Sequence, residues 1–329
     1  MDAPELSVIL PVYNERENLD ELLKRCLLVL EVAIAGSFEI IFVNDGSQDG
    51  SADILDTFNK LDPRIKIIHF SRNFGHQAAL QAGIDQAHGN AVVLMDSDLQ
   101  DPPELLHDFL ALWRQGYEVV YAVRKKRKES VLKRAAYYSF YRTMKVVAEI
   151  DLPLDAGDFC LLDRKVVEVF VALPERNRFL RGLRSWIGFK QIGVEYERDP
   201  RRFGTPKYTP AKLFRLAAAG YVGFSSMPLR LASWMGFVSA ALGFGIGAWA
   251  ILAKIAGAPT PSGWASMTAV TLFVGGMQLL VIGIVGEYLS RMYDEVRNRP
   301  LYIVRSQVGF DRNTTSAQRR LLDVVQASG

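Results

Sequence analysis

The sequence predicts an α/β fold, a parallel sheet covered by helices on both faces, followed by a two-helix membrane hairpin. Three observations carry this expectation. Short apolar runs alternate with helical patterns from Leu6 to Phe70, the spacing of repeated strand, crossover helix and strand. Ala91–Met95 is wholly apolar and stops abruptly at Asp96-Ser97-Asp98-Leu99-Gln100-Asp101, as a buried parallel strand does where it delivers a loop to the ligand-binding edge. Leu231–Ala253 and Gly263–Gly286 carry no charged residue over 23 and 24 positions, and each is long enough to cross ~30 Å of hydrocarbon.

Taken in order, Leu6–Pro11 reads as a first strand, followed by Val12-Tyr13-Asn14-Glu15 and a helix from about Glu17 to Ala35. Glu39–Asn44 is a second strand that runs into Asp45-Gly46-Ser47-Gln48-Asp49-Gly50-Ser51, residues that favour tight turns and helix caps. Ile65–Phe70 is a third strand, ending at Ser71-Arg72-Asn73-Phe74-Gly75-His76. Three strands thus send three polar loops to one edge. His69 and His76 have no partner motif and read as structural.

The acidic loop after the fourth strand is the first candidate site. On an extended backbone, side chains two apart point the same way, so Asp96 and Asp98 can converge on one hard cation with Gln100 as a third oxygen. Mg²⁺ or Mn²⁺ held there would neutralise a diphosphate. The competing reading is a capped helix start, because Asp101-Pro102-Pro103-Glu104 opens the next helix. Pro103–Arg114 is that helix and Tyr117–Val123 a further strand.

Composition narrows the partners. The chain has 329 residues, 49% of them hydrophobic, and a net charge of +3, which argues against a nucleic-acid partner. Basic residues cluster at Arg124–Lys128, attracted to anionic lipid head groups or exposed as a solvated loop. Cys26 and Cys160 suggest neither a disulfide framework nor a zinc site. Met1–Glu5 is acidic and the apolar run after it short, so no cleavable signal peptide is expected. Between Val131 and Ile150, Tyr137, Phe140, Tyr141, Met144 and Ala148 fall at helical spacing among basic residues, a pattern that fits an interfacial helix or an ordinary amphipathic one.

Four elements together resemble the family 2 glycosyltransferases, nucleotide-diphospho-sugar enzymes with a Rossmann-like catalytic domain of the GT-A type. They are Val8–Glu15, Val43–Gly50, Arg72–Gly75 and Met95–Pro102. The resemblance implies that Pro11, Tyr13, Glu15 and Asp45 surround the base and ribose of the donor, while Asp96, Asp98 and Gln100 hold metal and diphosphate. Chemically, an aromatic such as Tyr13 can stack on a ring and a carboxylate such as Asp45 can accept from a base N–H. Taken singly, Tyr13 and Glu15 are also ordinary residues at a helix entrance. Arg72 is a neighbour of the phosphates or the partner of a nearby Asp.

Two later segments resemble a narrower group, the polyprenyl-phosphate glycosyltransferases related to dolichol-phosphate mannose synthase, especially the bacterial two-span members. Asp155-Ala156-Gly157-Asp158-Phe159-Cys160-Leu161 is similar to the group's Asp-x-Gly-Asp-Phe-x-Leu, read as a turn leading into a short strand. The resemblance implies an acceptor-side role for Asp158 first and Asp155 second. The group commonly carries Arg where this chain has Cys160. Arg201-Arg202-Phe203-Gly204-Thr205-Pro206-Lys207-Tyr208 is similar to Arg-x-x-Gly-x-Ser-Lys-Tyr, with Pro206 in place of Ser. Arg201, Arg202 and Lys207 around a glycine turn form a basic loop suited to two phosphates, with Tyr208 beside it.

The expected organisation is a cytoplasmic GT-A domain over 1–208, with the interfacial helix at about 131–150. A juxtamembrane helix (209–228), transmembrane helices (229–256 and 263–290) and a cytoplasmic tail (291–329) follow. Lys207, Lys212, Arg215 and Arg230 precede the first span, and Arg291, Arg297, Arg299 and Arg305 follow the second, so the positive-inside rule puts both termini in the cytoplasm. Gly243, Gly247, Gly275, Gly276, Gly283 and Gly286 allow close helix packing and permit a homo-oligomer. The expected reaction is metal-dependent, inverting transfer of a hexose from a nucleotide-diphospho-sugar to undecaprenyl or another polyprenyl phosphate. UDP and glucose are favoured by resemblance, while mannose, galactose and an amino-arabinose derivative stay open. A processive polysaccharide synthase is the alternative enzyme, but Gly182–Trp186 does not match its Gln-x-x-Arg-Trp motif. A non-catalytic scaffold is the alternative outside enzymes.

Overall fold

The computed structural model describes residues 4–34, 37–125, 156–175, 179–197, 227–256 and 263–310. Two compact units divide the chain, one built on a sheet and one helical. In the sheet unit, β1 (Leu6–Val12), α1 (Arg16–Ile34), β2 (Phe38–Asn44), α2 (Ser51–Leu61), β3 (Ile65–Phe70), α3 (His76–Gln86) and β4 (Ala91–Leu94) alternate. After a 3₁₀ turn at Pro103–Leu105 come α4 (Leu106–Arg114), β5 (Val119–Arg124), β6 (Ala156–Asp163), α5 (Arg164–Ala172), α6 (Leu180–Ile187) and β7 (Gln191–Tyr196). The strand β8 (Val304–Val308) also belongs to this sheet, whose order is β7-β5-β6-β4-β1-β2-β3-β8.

Every residue of β1 and β2 is buried, as expected of central strands covered on both faces. Alternation then sorts their side chains into two cores. Val8, Leu10, Val12, Ile40 and Phe42 pack with α1, including Leu19, Leu22, Cys26 and Leu30. Ile9, Ile41 and Val43 pack on the other face with Leu80 and Ile84 of α3 and Val166 and Phe170 of α5. Gly83 sets the closeness of α3, since a Cβ there would lie 2.3 Å from Ile9 Cγ2. Cys26 and Cys160 are free and buried; burial pushes the Cys26 thiol up to about 12, so it is an inert packing group.

The amino-terminal edge of the sheet is closed by Glu39. Its Oε1 accepts from Ser7 Oγ at 2.6 Å and His88 N at 2.7 Å, and its Oε2 from Lys66 Nζ at 2.7 Å. These partners outweigh the cost of burial and hold the carboxyl below its ordinary range.

Two strands correct the all-parallel expectation. β6 lies between β4 and β5 and is antiparallel to both, and β8 is antiparallel to β3. The run near 155–164, expected to be a turn and short strand, is an eight-residue strand. Because β6 is reversed, its first residues lie at the same edge as the carboxyl ends of its neighbours. β8 falls in what the sequence placed as tail. Its approach is fixed by Tyr302, whose ring stacks on Phe70 at 5.1 Å and whose hydroxyl donates to Asp85 Oδ2 at 2.7 Å.

The helical unit contains α7 (Met227–Ile255) and α8 (Trp264–Val296). Leu229–Trp249 and Phe273–Val296 are long and apolar enough to cross a membrane, by length and composition. α8 continues ten residues past the uncharged run, to Val296. Trp234, Phe237, Phe244 and Trp249 are exposed along α7, as are Met267, Phe273 and Leu279 along α8. A Cβ at Gly243, Gly247, Gly275, Gly276, Gly283 or Gly286 would meet nothing within 4 Å among the described residues. The expected interfacial helix at about 131–150 and residues 209–226 of the expected juxtamembrane helix (209–228) lie outside the described residues, and the last two residues of the latter, Met227 and Pro228, begin α7 instead.

Candidate active site

The carboxyl edge is built by loops that bond to one another rather than to the core. Asn14 adopts the left-handed region, φ 54°, its N–H donates to Ser47 Oγ at 3.0 Å and its Oδ1 accepts from Gln48 N at 2.8 Å. Arg16 N donates to Asp49 Oδ2 at 3.0 Å. The loops after β1 and β2 are thereby one body. Gly46 joins them to the loop after β3: its φ is +71°, and a Cβ there would lie 2.6 Å from the carbonyl carbon of Arg72. Only glycine accepts both demands.

Asp45 is buried and fixes that third loop. Its Oδ1 accepts from Phe74 N at 2.6 Å and its Oδ2 from Gly75 N at 3.0 Å; burial raises its pKa against these two donors. Both oxygens therefore already serve the fold. Glu15 accepts from Asn18 Nδ2 at 2.6 Å, a helix-entrance contact. Tyr13 stands 37% exposed at the mouth. Arg72 stacks on Phe74, with Cζ 4.0 Å from the ring centre, and donates to the Asn73 carbonyl at 2.9 Å. Among the described residues no ion pair joins it to an Asp, but its charge acts on the Asp45 carboxylate, opposing the rise in pKa that burial causes.

The acidic loop differs from its expectation. β4 ends at Leu94, and the backbone from Ser97 to Leu99 bends, with Leu99 at φ 59° and buried. The extended-strand premise for converging Asp96 and Asp98 therefore does not hold; the loop's own hydrogen bonds shape it. Met95 N donates to Ile9 O at 3.1 Å, Ser97 Oγ to Pro11 O at 2.6 Å, and Gln100 N to Asp98 Oδ1 at 3.2 Å. Ser97, buried between the two carboxylates, is an anchor that sequence reading missed, and Pro11 enters through its carbonyl. A buried non-glycine residue at positive φ is a form of strain found at functional sites.

Asp158 arrives from the reversed β6. Arg181 of α6 grips it with two bonds, Nε to Oδ1 at 2.7 Å and Nη2 to Oδ2 at 3.0 Å, and Gln77 Nε2 reaches Oδ2 at 3.4 Å. His76 Nε2 lies 3.4 Å from Asp158 Oδ2 and 3.5 Å from Asp96 Oδ1. Burial pushes the Asp158 carboxyl up, but Arg181 and His76 outweigh it and hold the group far below the usual carboxylate range. Burial lowers His76, yet Asp96 and Asp158 dominate and raise it to about 9. His76, expected to be structural, thus joins the two carboxylates; its partners lie 20 and 82 residues away, which no local pattern reports. His69 does behave as expected, lying 3.0 Å from Asn44 Nδ2 and 3.0 Å from Asp56 Oδ1.

A second arginine from α6 stands where the sequence departs from its group. Arg184 is 2% exposed, donates Nη1 to the Gly157 carbonyl at 3.2 Å and stacks over Tyr121 at 4.6 Å. With Asp158, Cys160 and Arg181 it lines a cavity of about 10 Å³, room for one water. Guanidinium groups near Cys160 thus come from α6 instead of β6. The spacing of Arg181 and Arg184, three apart on one helical face, was the available signal. Arg124 is also drawn inward: a Cβ at Gly157 would lie 3.4 Å from its Nη2. Asp155, Arg201, Arg202, Lys207 and Tyr208 lie outside the described residues.

Asp96, Asp98 and the Gln100 amide are hard oxygen donors, and no group of three His, Cys, Asp or Glu side chains among the described residues forms a complete cage. That set fits Mg²⁺ or Mn²⁺, which is commonly bound by one or two carboxylates with substrate phosphates completing the shell.

Residues 7–170 match Glycosyl transferase family 2, and residues 227–292 match the GtrB C-terminal hairpin. The "Uncharacterized glycosyltransferase YkcC" of Bacillus subtilis (strain 168) is 46% identical, covering 93% of this chain and 95% of its own. The "SfII prophage-derived bactoprenol glucosyl transferase" of Shigella flexneri is 38% identical over 92% of this chain and 97% of its own. Among solved structures, the mannosyltransferase PcManGT from Pyrobaculum calidifontis, in complex with GDP-Man and Mn²⁺, is 16% identical, covers 89% of this chain and 88% of that one, and gives a TM-score of 0.43, too low to bear on the site. With relatives at 46% and 38% identity matched along nearly their whole length, this chain belongs to glycosyl transferase family 2 and is a glycosyltransferase.

Proposed function

We propose that the chain transfers glucose from UDP-glucose to undecaprenyl phosphate, or a similar polyprenyl phosphate, at the cytoplasmic face of a membrane, with inversion at the anomeric carbon. The observation that carries this reading is the convergence of Asp96, at the donor loop, and Asp158, from the reversed β6, on His76. The bactoprenol glucosyl transferases among its relatives supply the acceptor and sugar of the proposal.

Asp96, Asp98 and Gln100 would hold a divalent cation with the donor diphosphate. Bound there, the cation supplies positive charge to the departing diphosphate. Tyr13 is placed to stack on the base, and Asp45 shapes the base pocket through the Phe74–Gly75 turn. On the other side, the acceptor phosphate has its second ionisation near ~6, so at neutral pH it is largely deprotonated before attack. No side chain has to remove a proton. Asp158 stays ionised, its oxygens occupied by Arg181, and acts by orienting the acceptor and its basic surroundings. Arg201, Arg202, Lys207 and Tyr208, with Asp155, complete the acceptor side in this reading.

The chain leaves the sheet unit before α7 and re-enters it at β8. A hairpin whose two helices both span has both of its ends on one side of the membrane. Arg297, Arg299 and Arg305 after α8 favour the cytoplasm for that side. The matching domain boundaries are a catalytic unit over 1–208 with β8 added from 291–329, and spans within 229–256 and 263–290.

The test is transfer of radiolabelled sugar to undecaprenyl phosphate by the purified protein in detergent, with a panel of UDP- and GDP-sugars and Mg²⁺ or Mn²⁺ against EDTA. Labelled lipid from UDP-glucose alone, abolished by EDTA, is the expected result. Labelled lipid from another donor would replace the sugar. Metal-dependent nucleotide binding with no labelled lipid would replace the acceptor.

A further inference from the structure

We propose that His76 is a positioning residue that sets the separation between donor and acceptor by holding Asp96 and Asp158 to one ring nitrogen. This rests on the reading of Asp96 as donor-side and Asp158 as acceptor-side. A single Nε2 contacts both carboxylates, at 3.5 and 3.4 Å. Two like charges this near one point repel, and the ring placed within 3.5 Å of both is the group that bridges them.

Neither contact is needed to complete the fold. Asp158 already has two bonds from Arg181 and one from Gln77. The His76 side chain is 40% exposed, whereas that of His69 is 10% exposed and sits between Asn44 and Asp56 of neighbouring elements. His76 is also the first residue of α3, directly after the Phe74–Gly75 turn that Asp45 anchors. Its place is thus fixed by the donor-side loops, while its ring reaches the acceptor-side strand. The sugar must move from a diphosphate beside Asp96 to a phosphate beside Asp158, so the ring spans the gap across which transfer occurs.

The experiment compares wild type, His76→Ala and His76→Gln for transfer to undecaprenyl phosphate, donor hydrolysis by water, UDP affinity by calorimetry and Tm. Misplacing reacting groups by an ångström costs ~10²-fold in rate. His76→Ala is expected to lose about that much kcat, to keep UDP affinity and donor KM within ~3-fold, and to spend a larger share of donor on hydrolysis. His76→Gln, which retains a donor of similar reach, is expected to recover part of kcat. The inference is overturned by a His76→Ala enzyme with wild-type kcat, or by kcat, UDP affinity and Tm falling together with no recovery in His76→Gln. A wild-type enzyme that binds UDP but transfers nothing to the lipid overturns the acceptor reading and, with it, this one; an active wild type beside a His76→Ala enzyme of unchanged kcat overturns this one alone.

Discussion

The two edges of the sheet hold buried or half-buried carboxylates in opposite ways. At the amino edge, Glu39 is surrounded by Ser7, Lys66 and the His88 amide at 2.6 to 2.7 Å, all from the strands and turns it joins. At the carboxyl edge, Asp96 is 29% exposed in its side chain and shares His76 with Asp158. Charges at the first edge are neutralised by groups that never leave. At the second, Asp158 is buried under the grip of Arg181, whose own side chain is 34% exposed, and shares the 40%-exposed His76 with the half-buried Asp96.

Substitutions should separate the edges, the largest effects falling at the carboxyl one. Asp98→Asn is expected to lower turnover by ~10³-fold with unchanged Tm, since it removes charge stabilisation at the leaving diphosphate; steady-state transfer kinetics check it. Asp158→Asn is expected to cost less, ~10²-fold, because it orients rather than deprotonates. Equal losses in the two variants would count against that division of roles.

Stability effects come next. Gly46→Ala combines a left-handed backbone with a contact of 2.6 Å to the Arg72 backbone, so it should lower Tm and loosen the donor loops together, with UDP affinity as the readout. Gly83→Ala drives a methyl into Ile9 and should cost about 1–3 kcal/mol without altering the site, measurable as a lower denaturation midpoint with normal kcat.

The smallest effect is the pH dependence of the amino edge. Glu39 is held below its ordinary value of 4.5, so its stabilisation is fully present above that pH and is lost as pH falls through the lower, folded value. Glu39→Gln should therefore lose about 1–3 kcal/mol at neutral pH and show a shallower fall of Tm below pH 4.5. An unchanged acid limb in that variant would remove Glu39 from the account.

The same contrast explains what the sequence revealed. β1 to β4 were legible because they are short apolar runs buried on both faces, and the loops after them because turn residues and acids stop each run. The reversal of β6 was not, because an antiparallel strand inserted between parallel ones has the same apolar pattern as its neighbours. β8 was not, because Val304–Val308 is an edge strand with polar residues, reached only after two long helices. Asp158 was legible through resemblance, but its grip by Arg181 and its link through His76 to Asp96 depend on the reversal of β6. Asp45 and Glu15 were read as ligand contacts, and their side chains are found bonded within the fold. Long-range pairing makes the site, and local pattern carries only its pieces.

The most direct test of the two-edge account sets Asp158→Asn and Glu39→Gln side by side, with kcat for transfer to undecaprenyl phosphate and Tm measured on each. The account predicts unequal results: Asp158→Asn loses turnover and also Tm, because it breaks the buried pair with Arg181, while Glu39→Gln loses Tm and keeps turnover per folded molecule. Parallel losses of both quantities in both variants would contradict it.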